Sequence, residues 1–88
     1  MMLRIYVREG CHLCDEAVSL ARELARGNDA LSVEEIDIES ADDLHRRYLE
    51  AIPVVELGGI ELLRLDQFRD GGLERALGAI EDRRSDTY

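Results

Sequence analysis

The sequence predicts an α/β domain with a mixed four-stranded sheet and helices on both faces, in the order β-α-β-α-β-β-α. Early segments of alternating apolar residues are separated by segments of helical periodicity, which favours parallel pairing of those strands. A Gly58-Gly59 pair between two late apolar runs predicts a tight hairpin and hence an antiparallel pair. A chain of 88 residues accommodates one such domain. We expect it over 1–82, with a frayed polar tail over 83–88.

The first half of the chain predicts a strand, a long helix and a second strand. Leu3, Ile5 and Val7 occupy every second position, as in a strand with one buried face. Helical spacing begins after Gly10, with one apolar face made of Leu13, Ala17, Leu20, Ala21 and Leu24. Gly27 is expected to end this helix in the left-handed conformation. The second strand is predicted over 31–38, with a bulge or an irregular end because its apolar phase slips between Val33 and Ile36.

The second half predicts a short helix, a hairpin and a last helix. Ser40 is a candidate cap for the short helix, and Asp66 is a candidate cap for the last one. Strands are predicted on either side of the glycine pair, from Val54 to Leu57 and from Ile60 to Leu65. The apolar positions expected to pack inward near the end are Phe68, Leu73, Ala76, Leu77 and Ile80. Gly71-Gly72 is either a loosened turn or the place where the helix begins.

The charge of the chain excludes several classes of partner. Twenty acidic residues against eleven arginines, with no lysine, give a net charge of -9, which repels nucleic acid and anionic lipid. The arginines are dispersed apart from Arg46-Arg47 and Arg83-Arg84. This acidity indicates either a solvated surface or a surface that docks a basic partner. Without a stretch of about 20 apolar residues or a secretory leader, we expect a cytoplasmic protein that does not contact membranes. We also expect a monomer.

Cys11-His12-Leu13-Cys14 carries the chemistry. These are the chain's two cysteines, and they open the first helix, where i and i+3 spacing brings two sulfurs within bonding distance. Cys11 is predicted to be the more exposed nucleophile, its pKa below about 8.5 because it faces unpaired backbone N–H groups. Cys14, one turn further in, is predicted to resolve mixed disulfides. Arg8 and His12 can stabilise the thiolate, although His12 is equally well explained as an exposed residue, and the acidic pair after Cys14 acts in the opposite direction.

Two other roles for the cysteine pair stay open. A C-x-x-C pair is also half of a zinc site, but the remaining histidines, His12 and His45, do not complete a four-ligand set within one chain. A metal or iron-sulfur site would therefore need a second subunit, and the sequence predicts no metal ligands within this one. A non-catalytic binding module that docks a partner beside Cys11 is the other alternative. A redox pair is the interpretation that the spacing favours.

Pro53 follows Ile52 and precedes an apolar strand. One interpretation is a proline at strand entry, because proline cannot donate to a central ladder. The other is a cis Ile52-Pro53 bond opposite the cysteine turn, which leaves backbone groups free to pair with an incoming peptide or thiol. The cysteine turn and the order of elements favour the second interpretation.

These features together resemble the thioredoxin superfamily, and their order is most similar to glutaredoxins, over about residues 3–80. Tyr6-Val7-Arg8-Glu9-Gly10-Cys11 resembles the glutaredoxin approach to the active site, with Arg8 where a lysine is common. The resemblance implies a thioredoxin fold, Cys11 as nucleophile, Cys14 as resolving thiol and Pro53 in cis. The chain departs from the family at His12, where proline or glycine is usual.

A second departure concerns glutathione. Where glutaredoxins have a glycine pair beside the γ-glutamyl end of glutathione, this chain has Leu63 and Arg64, and the acidic residue that follows corresponds to Asp66. Bulky side chains obstruct the close backbone approach that glycine permits, which argues against a glutathione site and leaves Asp66 either a ligand or a cap. We therefore expect a glutaredoxin-like dithiol-disulfide oxidoreductase without a bound cofactor. Its substrate would be a protein or small-molecule disulfide, and glutathione or a thioredoxin-type system would be its reductant and co-substrate.

Overall fold

The structure, a computed structural model, describes the backbone of residues 1–85 and the side chains of residues 1–80. Within them the strands and helices follow the predicted order. They are β1 (Met2–Val7), α1 (His12–Arg26), β2 (Ser32–Asp37), α2 (Asp42–Tyr48), β3 (Val54–Leu57), β4 (Ile60–Arg64) and α3 (Gly72–Ser85). Two short 3-10 turns, Ile38–Ser40 and Leu65–Phe68, follow β2 and β4.

The strands form the mixed sheet that the sequence predicts. Their order is β2-β1-β3-β4; β1 pairs with β2 in parallel, and the other two pairs are antiparallel. Gly58 and Gly59 make the hairpin between β3 and β4 with φ of +60° and +84°, values that glycine adopts without steric cost. The central strands β1 and β3 contribute buried residues to hydrophobic cores on both faces of the sheet, although Met2 and Arg4 of β1 are exposed.

The larger core lies between the sheet and helices α1 and α3. Leu3 and Ile5 of β1, at 0% exposure, pack with Ala17 and Ala21 of α1 and with Leu73 of α3. The small alanine side chains let α1 approach the sheet closely, which removes the apolar face of β1 from water. The first helix and the described part of the last helix therefore pack on the same side of the sheet.

A smaller core lies on the opposite face, beneath α2. Tyr6 and Tyr48 have ring centroids 4.5 Å apart and pack with Ile38, Ala51 and Val54. The Tyr6 hydroxyl donates a hydrogen bond to Glu56 (3.2 Å). Burial, with the nearby Glu56 carboxylate, raises the pKa of Tyr6, so the hydroxyl keeps its proton at neutral pH. With α2 on this face, the sheet has helices on both sides, as predicted.

The bulge predicted in the second strand was wrong. β1 and β2 pair in unbroken register from Met2↔Ser32 to Val7↔Asp37. The apolar phase slips because Val33 packs against the larger core and Ile36 against the smaller one. The irregularity is in β4 instead, where the partners of Val55 and Glu56 shift register and leave Leu62 as an extra residue.

Helix α1 ends at Gly27 as predicted, but three predicted capping arrangements at helix ends were wrong. Gly27 has a φ of -92° rather than a left-handed value, and Asn28 makes the turn by accepting a hydrogen bond at Oδ1 from the Ala30 N–H (3.0 Å). Ser40 does not cap α2, since its hydroxyl donates to the Asp37 carbonyl (2.6 Å) within the preceding turn. Asp66 does not cap α3, which begins six residues later at Gly72 because the Leu65–Phe68 turn intervenes.

The end of the chain departs from the expected tail. α3 continues to Ser85, so the tail expected over 83–88 starts inside a helix, and its residues 86–88 lie outside the described residues. Among the described residues, no helix is both long and apolar enough to cross a membrane.

Candidate functional site

The cysteine pair lies where β1 leads into α1. Cys11 is the N-cap residue, with extended backbone angles (φ -93°, ψ 105°), and is partly exposed. Cys14 lies in the first turn of the helix and is 1% exposed. The two residues are joined as a disulfide, with their Cα atoms 5.2 Å apart. The sequence prediction of adjacent sulfurs at a helix N-terminus is confirmed.

Backbone groups at the helix N-terminus face the Cys11 sulfur. The Cys14 N–H donates to Cys11 Sγ (3.1 Å), so sulfur occupies the place of the usual oxygen of a capping side chain. The loop before it is closed by the Cys11 N–H, which donates to the Arg8 carbonyl (3.3 Å). After reduction, a thiolate at this position would accept the same hydrogen bond and lie at the positive end of the helix dipole.

Arg8 pairs with a carboxylate. Its Nε lies 3.2 Å from Oε1 of Glu39, in the turn after β2, and His45 Nε2 on α2 lies 3.1 Å from the same oxygen. Sequence reasoning missed Glu39 and His45. A signal was available, because the parallel pairing of β1 and β2 brings the residues after each strand to one edge of the sheet.

His12 is exposed as the first residue of α1 and forms no hydrogen bond or ion pair with another described residue. Its two interpretations, a residue that tunes the thiolate and an exposed residue, both remain.

Of the acidic pair after Cys14, Glu16 is bound to Arg69, with Oε2 2.6 Å from the guanidinium Nε. This hydrogen bond lowers the pKa of Glu16. The carboxylate charge is therefore balanced locally, which weakens its opposition to a thiolate.

Ile52 and Pro53 lie at the same edge of the sheet as the cysteine loop, because Tyr6 near the end of β1 pairs with Val54 at the start of β3. The Ile52-Pro53 peptide bond is cis, and the Pro53 side chain is buried. The backbone there is less free than the sequence argument supposed. The Ile52 N–H donates to the Tyr48 carbonyl (3.1 Å) and the Pro53 carbonyl accepts from the Leu65 N–H (3.0 Å). The Ile52 carbonyl accepts no hydrogen bond from a described residue.

The residues expected at a glutathione subsite lie at the end of β4. Arg64 forms a two-pronged ion pair with Glu61 (2.8 and 2.9 Å). Leu65 then adopts a left-handed φ of +55°, unusual for a residue with a branched side chain, and turns the chain away from the strand. Leu63 is partly buried, and Asp66 is exposed in the turn that follows. No group of three or more potential metal-ligating side chains occurs within the described part of the chain.

Comparison with known proteins identifies relatives of the chain. Residues 2–79 match the model of the glutaredoxin-like domain (DUF836). Protein Ne2328 from Nitrosomonas europaea is 32% identical over 90% of this chain and 88% of its own, with a TM-score of 0.69. A glutaredoxin from Brucella melitensis is 25% identical, covering 91% and 87% of the two chains, with a TM-score of 0.63.

More distant structures share the fold. Reduced Escherichia coli glutaredoxin is 21% identical, with a TM-score of 0.63 over 93% of this chain and 96% of its own. A search of curated proteins found no match. The architecture, a mixed four-stranded sheet with helices on both faces and a cysteine pair at the start of α1, is that of thioredoxins and glutaredoxins. The chain belongs to the glutaredoxin-like domain family and has the thioredoxin fold.

Proposed function

We propose that the protein is a dithiol-disulfide oxidoreductase in which Cys11 is the nucleophile and Cys14 the resolving thiol. The observation that carries the proposal is the different setting of the two sulfurs. Cys11 is partly exposed and receives a backbone hydrogen bond, whereas Cys14 is 1% exposed within the helix. A substrate therefore reaches Cys11 first, and Cys14 acts through it.

The reaction consists of two thiol-disulfide exchanges. The Cys11 thiolate attacks one sulfur of the substrate disulfide, forms a mixed disulfide and releases the other substrate sulfur as a thiolate, which takes up a proton. Cys14 loses its proton and attacks the Cys11 sulfur, releasing the second substrate thiol and forming the Cys11-Cys14 disulfide. Two electrons and two protons pass to the substrate, which becomes two thiols. Two glutathione molecules or a thioredoxin-type dithiol then restore the pair by the reverse exchanges.

The other residues of the site have supporting roles in this proposal. Arg8 and His12 supply positive potential near Cys11, and the free carbonyl of Ile52 beside Pro53 accepts a hydrogen bond from the substrate backbone. Asp66 would receive the amino group of glutathione if glutathione binds, but Leu63 and Arg64 still oppose its close approach. No bound cofactor is required. A monomer in the reducing cytoplasm, where the pair returns to the dithiol between cycles, completes the proposal.

The two cysteine variants test this function. With a peptide disulfide as substrate and a dithiol reductant, Cys11→Ser should abolish reduction. Cys14→Ser should instead accumulate a mixed disulfide at Cys11, detectable by mass spectrometry as a covalent adduct. Reduction that survives Cys11→Ser would contradict the proposal. A non-catalytic docking module would be favoured by a wild-type protein that binds the peptide but leaves its disulfide intact.

A further inference from the structure

We infer that a basic groove between the end of α2 and the end of β4 docks an acidic segment of the protein disulfide that the enzyme reduces. This inference rests on the proposed function and names its substrate class. The groove encloses about 640 Å³. Its lining residues come from α2, the following loop and β4, and they are His45, Arg46, Arg47, Leu49, Glu50, Ala51 and Arg64.

The charge of the groove is opposite to that of the whole chain. Three arginines line it with a single acid, Glu50, in a protein of net charge -9. Arg64 is neutralised by Glu61, but Arg46 and Arg47 form no ion pair with a described residue. Arg47 lies 5.8 Å from the centre of the Tyr48 ring, a contact that leaves its charge intact. Because the net charge of the chain disfavours acidic partners as a whole, two arginines without ion-pair partners among the described residues give an acidic segment a favourable local contact.

One wall of the groove lies next to the redox site along the chain. Its wall at Ala51 leads directly into Ile52 and Pro53. On the other side, His45 shares the Glu39 carboxylate with Arg8, whose carbonyl accepts the Cys11 N–H. Ala51 and His45 therefore link the groove to the residues around Cys11, and the residues that flank a disulfide at Cys11 are those that we place in the groove.

Two exposed leucines at the groove indicate that the docked segment also carries an apolar side chain. Leu49, within the groove, is 36% exposed, and Leu65 beside it is 43% exposed. The Leu65 N–H donates to the Ala51 carbonyl (3.1 Å), which holds it against the groove wall. A segment that combines acidic residues with an apolar side chain matches both the charge and these leucines.

Two synthetic peptides test the inference. Both carry the same disulfide and a neighbouring leucine; one has Asp and Glu beside it, and the other has Asn and Gln. Wild-type protein should show a higher kcat/KM for the acidic peptide at low ionic strength. The R46Q/R47Q double variant should lower the acidic-to-neutral ratio by about threefold to tenfold, the effect of two partly exposed ion pairs. Salt at about 0.5 M should abolish the preference.

The R22Q/R26Q double variant is the matched control, because it removes two arginines from the part of α1 remote from the cysteines. It should retain the wild-type ratio. Arg46→Gln alone, which leaves Arg47 on the Tyr48 ring, should lower the ratio in part and guards against a folding defect. A wild-type ratio of one, or an equal fall in the control, would overturn the inference while leaving the reductase in place. Failure to reduce either peptide would overturn both.

Discussion

The hydrogen bond from the Cys14 N–H to Cys11 Sγ differs in strength between the two redox states. A disulfide sulfur is a weak acceptor, whereas a thiolate makes a charge-assisted bond of roughly 1.5–3 kcal/mol. A backbone N–H at this position therefore stabilises the thiolate more than the disulfide. The position of Cys11 as the N-cap residue is what provides this donor.

Glu39 is expected to weaken the stabilisation of the Cys11 thiolate by Arg8. It pairs with Arg8, the arginine of the loop that leads to Cys11, and with His45. Glu39→Gln should leave the positive charge of Arg8 uncompensated and favour the Cys11 thiolate. The midpoint of the alkylation rate against pH should move lower by about 0.2–0.5 pH unit, because exposed charges interact weakly through water. Arg8→Gln should move it higher.

Glu34→Gln is the matched control for this measurement. Glu34 is as exposed as Glu39 and also pairs with an arginine, Arg4, but it lies within β2 rather than at the cysteine edge. Its midpoint should match that of the wild-type protein. An unchanged midpoint in Glu39→Gln, or the same shift in Glu34→Gln, would show that the Arg8 pair does not act on Cys11.

At the scale of elements, the start of α3 depends on one glycine. A Cβ at Gly72 would overlap the backbone carbonyl oxygen of Gln67, in the turn after β4. The backbone cannot move aside as a flexible side chain can, because that turn holds the buried Phe68 in the larger core. Gly72 therefore allows α3 to fold back against the sheet immediately after the turn.

A pair of glycine variants in the same helix tests this requirement. Gly72→Ala should lower the free energy of unfolding by about 1–3 kcal/mol, the usual cost of overpacking. Gly78→Ala, with open space around its added Cβ, should raise it by about 0.5–1 kcal/mol through helix propensity. Urea unfolding followed by circular dichroism measures both. Equal effects of the two substitutions would mean that the contact with Gln67 relaxes freely.

Element identities were predictable from sequence, but several boundaries were not. The glycine pair located the hairpin at Gly58-Gly59, and helical periodicity located the helix that opens at the cysteines. Ser40 was a candidate cap because of its residue type, yet its hydroxyl donates to the Asp37 carbonyl instead of accepting a hydrogen bond from a helix N–H. Local propensity cannot rank such competing partners, because the choice depends on how β2 enters its turn.

At the scale of the whole molecule, the order of elements predicted the mixed sheet and the edge at which the cysteines meet Pro53. The basic groove was only hinted at by the adjacent Arg46-Arg47. Its wall needs Arg64, which β4 brings from another part of the chain, and its link to Cys11 needs Glu39. Tertiary structure brings these residues of separate elements together, and the spacing of residues along one segment does not reveal it.

One exposed ion pair joins the two halves of the fold. Glu16 in the first half of α1 binds Arg69, which lies just before α3, 53 residues later. The hydrogen bond from Arg69 lowers the pKa of Glu16 below the usual range of a glutamate side chain. A carboxylate whose pKa is lower in the folded state stabilises the fold above its unfolded pKa. That stabilisation is lost as the pH falls through the folded pKa.

Arg69→Gln should therefore lower the free energy of unfolding, and this loss should be largest near neutral pH. The loss should become progressively smaller as the pH falls below 4.5. Urea unfolding of the wild-type protein and the variant across this range measures the difference. Arg26→Gln, which removes an arginine paired only within α1, at 3.8 Å from Glu23, controls for the change in net charge. The Arg69 pair contributes to acid sensitivity only under one condition. The difference in free energy of unfolding between wild type and Arg69→Gln must decrease at acidic pH more than the corresponding difference for Arg26→Gln. If the difference between wild type and Arg69→Gln stays constant with pH, the effect of Arg69 comes from packing rather than from its hydrogen bond with Glu16.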